Sequence, residues 1–441
     1  METSYLDKGK QKDIPNIIPL LFGLLSANNI IYLFYVGNIP VNISVVLSIG
    51  LMVGLFFFKR GKMSGLIKFF PSGLKLYTIA ILISIIYAVL VFQVNYTDLL
   101  LRYFKGFAIY GVMLIAFVCT IAMREKKEYI IKGLLIGFLV NIMLSVIQLI
   151  TYRMGNVFTL FTYYPQDTFY IPIFRFRAQG FFLEPSHMLQ YLTTTALLFL
   201  NRAKSIMKIF FVYLSFIFLA FYTSSGNVMI LVFIILAYLI LKSNKGRHRK
   251  TKQAFIFSII SLSVIIFVGL LSVLFWDRLK YIFGPIDIGN AINEIVNGAD
   301  LGSEENEARY TNMLYGLGLI YEYPFGVGYN MSSSLLQIQN NFNSTLSTFN
   351  FLISNQLELG ILGTFAYCLF TFQLGVKLLR DKRNTYRIAL GLSVIAIFGL
   401  AVGNGMGFSV YMWIVYALAA IELYDIQEEI RLRNVKMQII G

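Results

Sequence analysis

Long apolar runs are the feature of this sequence that most constrains its fold. Short polar segments separate them, and 57% of the 441 residues are hydrophobic while only 13% are charged. A soluble domain carries about 25% charged residues. The sequence therefore excludes an ordinary cytosolic enzyme, a disordered chain and a fibrous protein, and it predicts an all-α protein that crosses a membrane many times.

A helix needs about 20 apolar residues to cross the hydrocarbon core of a bilayer. This length predicts one integral membrane domain over residues 1–441 with about twelve transmembrane helices. The sixth and eighth are short, which leaves a count of ten or eleven open. The first follows three lysines and lacks a cleavage site, so we expect it to be retained. The predicted helices cover residues 17–36, 41–58, 75–93, 104–123, 129–151, 186–201, 205–223, 227–242, 254–275, 356–378, 386–402 and 406–423.

Basic residues indicate the side that each loop faces, because cytoplasmic loops are enriched in Lys and Arg. With both termini cytoplasmic, two large loops lie outside, at residues 152–185 and 276–355. The basic clusters at 59–62 and 380–383 then act as topology signals, with binding of anionic lipid as the alternative. Eight of the 37 Lys and Arg residues fall outside under this topology: Arg102, Lys105, Arg153, Arg175, Arg177, Arg278, Lys280 and Arg309.

Ionisable residues are scarce inside the predicted helices and gather at the outer face. Proton- and ion-coupled transporters usually carry such residues within their spans. The pattern therefore favours a reaction or a binding event at the outer interface. The two cysteines, Cys119 and Cys368, both lie in apolar runs, so we expect neither a disulfide framework nor a metal site, and no cofactor.

The end of the first outer loop holds one group of candidate site residues. Pro185 and Ser186 favour a helix start, which places Glu184 at the helix cap. A carboxylate or a histidine at the mouth of a dry cavity can act as a general base, and paired arginines can bind a diphosphate. Helix capping with interfacial arginines is the alternative interpretation. The four ionisable members of the group are Arg175, Arg177, Glu184 and His187.

The second outer loop and the helix after it hold further candidates. Arg309 begins a helical stretch that leads to a turn with Pro324, Gly326 and Gly328. Glycines in a turn let its backbone approach a partner closely. A salt bridge with the preceding acids is the alternative role for Arg309. Glu358 is the one carboxylate near the interior of a predicted span, and we favour a structural role for it, satisfied by a neighbouring helix.

Together these segments resemble the bacterial O-antigen polymerase and O-antigen ligase superfamily over roughly residues 174–363. Ligase-like members commonly place a His before the asparagine of the last motif, where this chain has Phe349, so the match is closer to capsule or exopolysaccharide repeat-unit polymerases. The matching residues are Arg177, Gly180 and Glu184-Pro185-Ser186; then Arg309 and Pro324-Phe325-Gly326-Val327-Gly328; then Asn350 with Ile353, followed by Glu358, Gly360 and Gly363.

The resemblance implies a C-type glycosyltransferase-like fold and a metal-independent glycosyltransferase in the bacterial plasma membrane. Its substrates would be polyprenyl-diphosphate-linked glycans, and its partners a chain-length regulator and a flippase of the same pathway, with no nucleic acid. An O-antigen ligase and a lipid-linked oligosaccharide flippase are the alternatives.

The resemblance also assigns expected roles to individual residues. Glu184 would be the catalytic base or would orient the acceptor, with His187 as the second choice, and Arg309 would be the third catalytic residue. The diphosphate would be bound by Arg309 and Arg177 with Arg175 in support, and Arg102 and Lys105 are further candidates for this role. Structural roles near the site would fall to Pro185, Gly326, Gly328, Asn350 and Glu358.

Overall fold

The structure is a computed structural model that describes residues 14–27, 32–36, 39–58, 64–91, 96–154, 180–182, 185–202, 234–235, 237–238, 305–339, 350–381, 384–404 and 409–440. Within these ranges the chain is mostly helical. The helices are α1 (Ile17–Leu25), α2 (Ile43–Phe58), α3 (Ser72–Val91), α4 (Tyr96–Ala122), α5 (Lys127–Arg153), α6 (Pro185–Arg202), α7 (Glu305–Glu322), α8 (Ser332–Gln339), α9 (Phe351–Arg380), α10 (Thr385–Asn404) and α11 (Val410–Ile440). The strands are β1 (Tyr32–Val36) and β2 (Ile39–Asn42).

Among the described residues, five helices are long and apolar enough to cross a membrane. They are Ser72–Val91, Leu101–Ala122, Arg124–Gln148, Phe351–Arg380 and Thr385–Val402. Large apolar side chains such as Leu90 on α3 and Phe365 on α9 point outwards, as they do in a protein surrounded by lipid. The chain is thus a helical, multi-pass membrane protein. The predicted spans 205–223 and 254–275, and most of 227–242, lie outside the described residues.

The prediction of a single span over residues 17–36 is wrong. Helix α1 has nine residues and is about 13 Å long, too short to cross a bilayer. Strand β1 follows it and pairs antiparallel with β2, so that Val36 lies opposite Ile39. The physical reason is local: Tyr32–Val36 consists of aromatic and branched side chains that favour a strand. Hydropathy alone does not distinguish such a strand from a helix of equal apolarity.

Helix α11 forms the centre of the described bundle. Every residue from Val410 to Ala420 is buried. The ring of Trp413 packs 5.5 Å from that of Tyr110 on α4 and 6.1 Å from that of Phe370 on α9. Helices α4, α9 and α10 all pack against α11. We call the face with Arg102 the outer end and the opposite face the inner end, after the predicted topology.

A network of charges joins three helices at the inner end. The Arg387 guanidinium of α10 pairs with Asp381 at 2.6 Å, with Glu422 of α11 at 3.0 Å and with Glu429 of α11 at 2.7 Å. Lys127 at the start of α5 also pairs with Glu422, at 2.6 Å. The Arg387 guanidinium holds the pKa of the Glu429 carboxyl below its usual value. Arg387 and Glu422 are only 8% and 5% exposed, so this network is weakly screened by solvent.

We expect the substitution Arg387→Met to lower the free energy of unfolding by about 3 kcal/mol. Breaking a buried ion pair typically costs about 3–5 kcal/mol, and the lower figure applies because Lys127 still neutralises Glu422. Equilibrium unfolding of the purified protein in mixed micelles measures this change.

The matched control is Arg431→Met, which removes an exposed pair with Glu428 at 3.8 Å and should change stability by less than about 0.5 kcal/mol.

The depressed pKa of Glu429 also predicts how the stability lost in Arg387→Met depends on pH. Its stabilising contribution is complete above the unfolded carboxyl pKa of about 4.3 and is lost as pH falls through the folded value. The difference in the free energy of unfolding between wild type and Arg387→Met should therefore become smaller at acidic pH. Equal losses in the two variants would contradict the role given to Arg387.

Candidate functional site

The outer half of α9 is broken at Gly360, whose φ of 65° and ψ of −166° are not helical. Such a break frees backbone groups, which in an apolar bundle need partners within the protein. The turn between α7 and α8 supplies them and lies against the break. Three backbone hydrogen bonds join the two segments, given donor first: Val327 to Leu357 at 2.7 Å, Gly328 to Glu358 at 3.0 Å, and Ile361 to Pro324 at 3.2 Å.

Glycine is required on both sides of this contact. Gly326 and Gly360 have φ values of 88° and 65°, in the left-handed region that other residues rarely adopt. A Cβ atom on Gly360 would lie 2.4 Å from the carbonyl carbon of Phe325. A Cβ atom on Gly326 would lie 2.6 Å from the Gly360 amide nitrogen. The turn glycines therefore permit a close backbone approach, and the partner is the break in α9.

The carboxyl group of Glu358 points from the break towards the start of α8. Its Oε1 atom accepts a hydrogen bond from the Ser332 hydroxyl at 2.7 Å. The backbone amides of Asn330 and Ser332 also hydrogen-bond to this carboxyl group. A partly buried carboxylate is costly unless it is hydrogen-bonded, and these donors meet that requirement. Glu358 thereby ties α8 to α9.

The outer end of α4 also contacts this region, and we call Glu358, Asn330, Ser332, Ser334 and Arg102 together the Glu358 cluster. The Asn330 side-chain amide donates to the Arg102 carbonyl oxygen at 3.0 Å, and the Arg102 guanidinium donates to the Ser334 hydroxyl of α8. Lys105, one turn further along α4, is exposed like Arg102. The result is an exposed, positioned guanidinium beside the turn and the break. Such a group binds oxyanions.

A second irregular segment precedes α6, and α5 holds it. The Gly180 amide donates to the Gln148 side-chain oxygen at 3.0 Å, and the Phe181 amide donates to the Asn141 side-chain oxygen at 2.8 Å. Gly180 has a φ of 57°. Sequence reasoning missed Asn141 and Gln148, because neither is charged. Their separation by seven residues within a predicted span, which places both on one helix face, is the signal that was available.

The remaining predicted residues fall in several places. Helix α6 begins at Pro185, and His187 lies in its first turn, next to Met188, whose sulfur accepts from the Ser145 hydroxyl at 3.0 Å. The described contacts do not join this helix start to the Glu358 cluster. Asn350 caps α9 by accepting from the amides of Leu352 and Ile353. Three predicted residues lie outside the described part of the chain: Arg175, Arg177 and Glu184.

Arg309 lies in the second turn of α7, and its side chain is outside the described part of the structure. Thirteen residues of helix separate it from the end of α7 at Glu322, which corresponds to about 20 Å along the helix axis. The turn with Pro324 follows directly after that end. The backbone of Arg309 therefore lies about 20 Å from the turn, measured along α7.

No protein-family model matches this chain, and no curated protein matches its sequence. What the fold itself defines is the class: a multi-pass helical membrane protein. Its outer end carries a turn that closes a broken helix, with a guanidinium and a carboxylate fixed beside that contact.

We expect Gly360→Ala to destabilise the protein by about 1–3 kcal/mol through backbone strain, with a further loss from the collision with Phe325. Thermal unfolding of the purified protein measures the effect. The control is Gly318→Ala in α7, where a Cβ atom meets nothing within 4 Å. Because alanine is the better helix former, that variant should gain up to about 1 kcal/mol. If Gly360→Ala unfolded at the same temperature as Gly318→Ala, the contact between the turn and α9 would not require glycine at position 360.

Proposed function

We propose that this protein polymerises polyprenyl-diphosphate-linked oligosaccharide repeat units at the outer face of a bacterial plasma membrane, for O-antigen, capsule or exopolysaccharide. The observation that carries the proposal is the contact between the turn and the broken helix. These are two of the three segments in which the sequence resembles O-antigen polymerases. Their backbones hydrogen-bond to each other, next to Arg102 and Glu358.

The proposed reaction is a glycosyl transfer between two lipid-linked glycans. A hydroxyl of the acceptor repeat unit attacks the anomeric carbon of the donor chain. The bond from that carbon to the diphosphate oxygen breaks, and polyprenyl diphosphate leaves with the bonding electrons. The acceptor hydroxyl gives its proton to the base, which we assign to Glu184 with His187 as the second choice. A positioned base contributes about 10²–10⁴-fold to such a rate.

The leaving diphosphate gathers negative charge, so the site needs cations that are held in position. We assign this role to Arg102 among others, and its position supports the assignment, since its guanidinium donates to Ser334 while its carbonyl accepts from Asn330. Arg309, Arg177 and Arg175 are assigned the same role by resemblance, with Lys105 in support. One preorganised donor contributes about 3–4 kcal/mol to the stabilisation of such a charge.

The break in α9 is also the feature that favours the competing flippase, because transporters often bind substrates at discontinuous helices. In such sites the unwound backbone is open to the substrate. Here the carbonyl groups of Leu357 and Glu358 and the amide of Ile361 are already bonded to the turn. The break therefore serves to dock an outer segment, which supports a fixed interfacial site over a moving gate.

The chain-length profile of the glycan tests the proposal, in a deletion strain complemented with wild type or a variant. We expect Glu184→Ala and Arg309→Ala to abolish chain growth, leaving single lipid-linked units at the outer face. Arg102→Ala should shorten the ladder, because it removes one of the cations that we assign to the diphosphate. Arg431→Ala, on an exposed part of α11, is the control and should give the wild-type ladder.

The other outcomes identify the competing functions. Long lipid-linked polymer that is never transferred to an acceptor would indicate a ligase. Single units that fail to reach the outer face in the deletion strain would indicate a flippase. Normal ladders from both Glu184→Ala and Arg309→Ala would refute the assignment of these residues.

A further inference from the structure

A cavity of about 740 Å³ opens at the inner end of the bundle, far from the proposed glycan site. The last turn of α9, the first turn of α10 and the polar half of α11 form its walls. Its volume falls within the range of about 300–1,000 Å³ that is typical of ligand pockets. The residues that line it include four bases and two acids.

The two acids do not neutralise all four bases. Asp381 and Glu429 both pair with the buried Arg387, at 2.6 Å and 2.7 Å. Lys377 and Arg380, one turn apart on α9, form no ion pair with any residue that the structure describes. Arg433, on the opposite wall, influences Glu429 electrostatically but forms no ion pair of 4 Å or less within the same described ranges. The cavity thus keeps cations on two walls available to an anion.

Of the other six lining residues three are polar and three are apolar, and the three apolar ones all belong to α11. Leu423 is buried, whereas Ile426 is partly buried and Ile430 is 53% exposed although both are large aliphatic residues. An apolar surface that is bordered by cations matches a ligand with an anionic head and a hydrocarbon body. A soluble phosphate compound would leave this apolar surface in water.

The position of the cavity identifies the source of such a ligand. Helices α9 and α10 are both long and apolar enough to span the membrane, and they end and begin at this cavity, at Arg380 and Thr385. The ends of transmembrane helices lie at the level of the lipid headgroups. Basic pockets between transmembrane helices at this level bind anionic lipid headgroups.

We propose that the cavity between α9, α10 and α11 is a binding site for one anionic phospholipid. Its phosphate contacts Lys377, Arg380 and Arg433, and its glycerol and upper acyl carbons cover Ile426 and Ile430. The site is independent of the proposed glycan chemistry, because it uses none of the residues assigned to that reaction. The buried Arg387 network forms its rigid floor.

Native mass spectrometry of the purified, delipidated full-length protein tests the site. The probes are phosphatidylglycerol and phosphatidylcholine with identical acyl chains, and inorganic phosphate as a competitor. We expect phosphatidylglycerol to bind with one strong site, phosphatidylcholine to bind only weakly, and millimolar phosphate to leave the bound lipid in place.

Matched double variants separate a site from general electrostatic attraction. Lys377→Gln with Arg380→Gln should weaken phosphatidylglycerol binding by about tenfold or more, since each basic residue near a lipid surface contributes substantially. Arg431→Gln with Lys436→Gln removes the same charge from exposed positions of α11 outside the cavity and should leave the affinity nearly unchanged. The single variant Arg433→Gln tests the opposite wall, and thermal unfolding verifies that each variant is folded.

Three results would overturn the proposal. The first is equal affinity for the two lipids, which would mean binding by the acyl chains alone. The second is an equal loss in both double variants, which would mean attraction by net charge. The third is displacement of the lipid by inorganic phosphate at similar affinity, which would make the ligand a soluble phosphate compound.

Discussion

Backbone amides and carbonyls inside an apolar bundle have to be paired within the protein, and the outer half of this molecule depends on that requirement. The break at Gly360 is tolerated because the 324–328 turn bonds to the freed groups. The turn before α6 is tolerated because Gln148 bonds to both the amide and the carbonyl of Gly180. Irregular backbone therefore occurs here together with the groups that fix it, which makes these segments rigid supports for neighbouring side chains.

Helix α9 connects the two chemically distinct ends of the protein. Its outer half is held by the turn and by the bond between Glu358 and Ser332. Its inner end leads into Asp381, which pairs with Arg387. The unbroken part of α9, from Ile361 to Arg380, has twenty residues and is about 30 Å long. Because both ends are anchored, side chains at either end are positioned independently. One helix can therefore contribute to the proposed glycan site at its outer end and to the proposed lipid site at its inner end.

Hydropathy located the long helices of the described region well but failed where an apolar run changes conformation. The predicted span 75–93 coincides with α3 and 386–402 with α10, because charges and turn residues bound both runs. Within residues 17–36 the boundary is carried only by Asn28 and Asn29, and Gly37-Asn38 after the aromatic run is a hairpin signal, so the hydropathy of the run hid both. The turn glycines were recognisable from the sequence, but their partner was not, since the contact between Gly326 and Gly360 arises only in the folded bundle.

The order of synthesis determines when the contact between the turn and α9 can form. The turn leaves the ribosome before the segment that receives it, so the amides of Val327 and Gly328 lack those acceptors until α9 is made and inserted. The same helix packs closely on α3, where Gly73 lies against Phe370, and so joins early and late segments. Insertion of α9 is thus the step after which the backbone hydrogen bonds of the turn can form. Chains that stop before it leave the amides of Val327 and Gly328 without these acceptors.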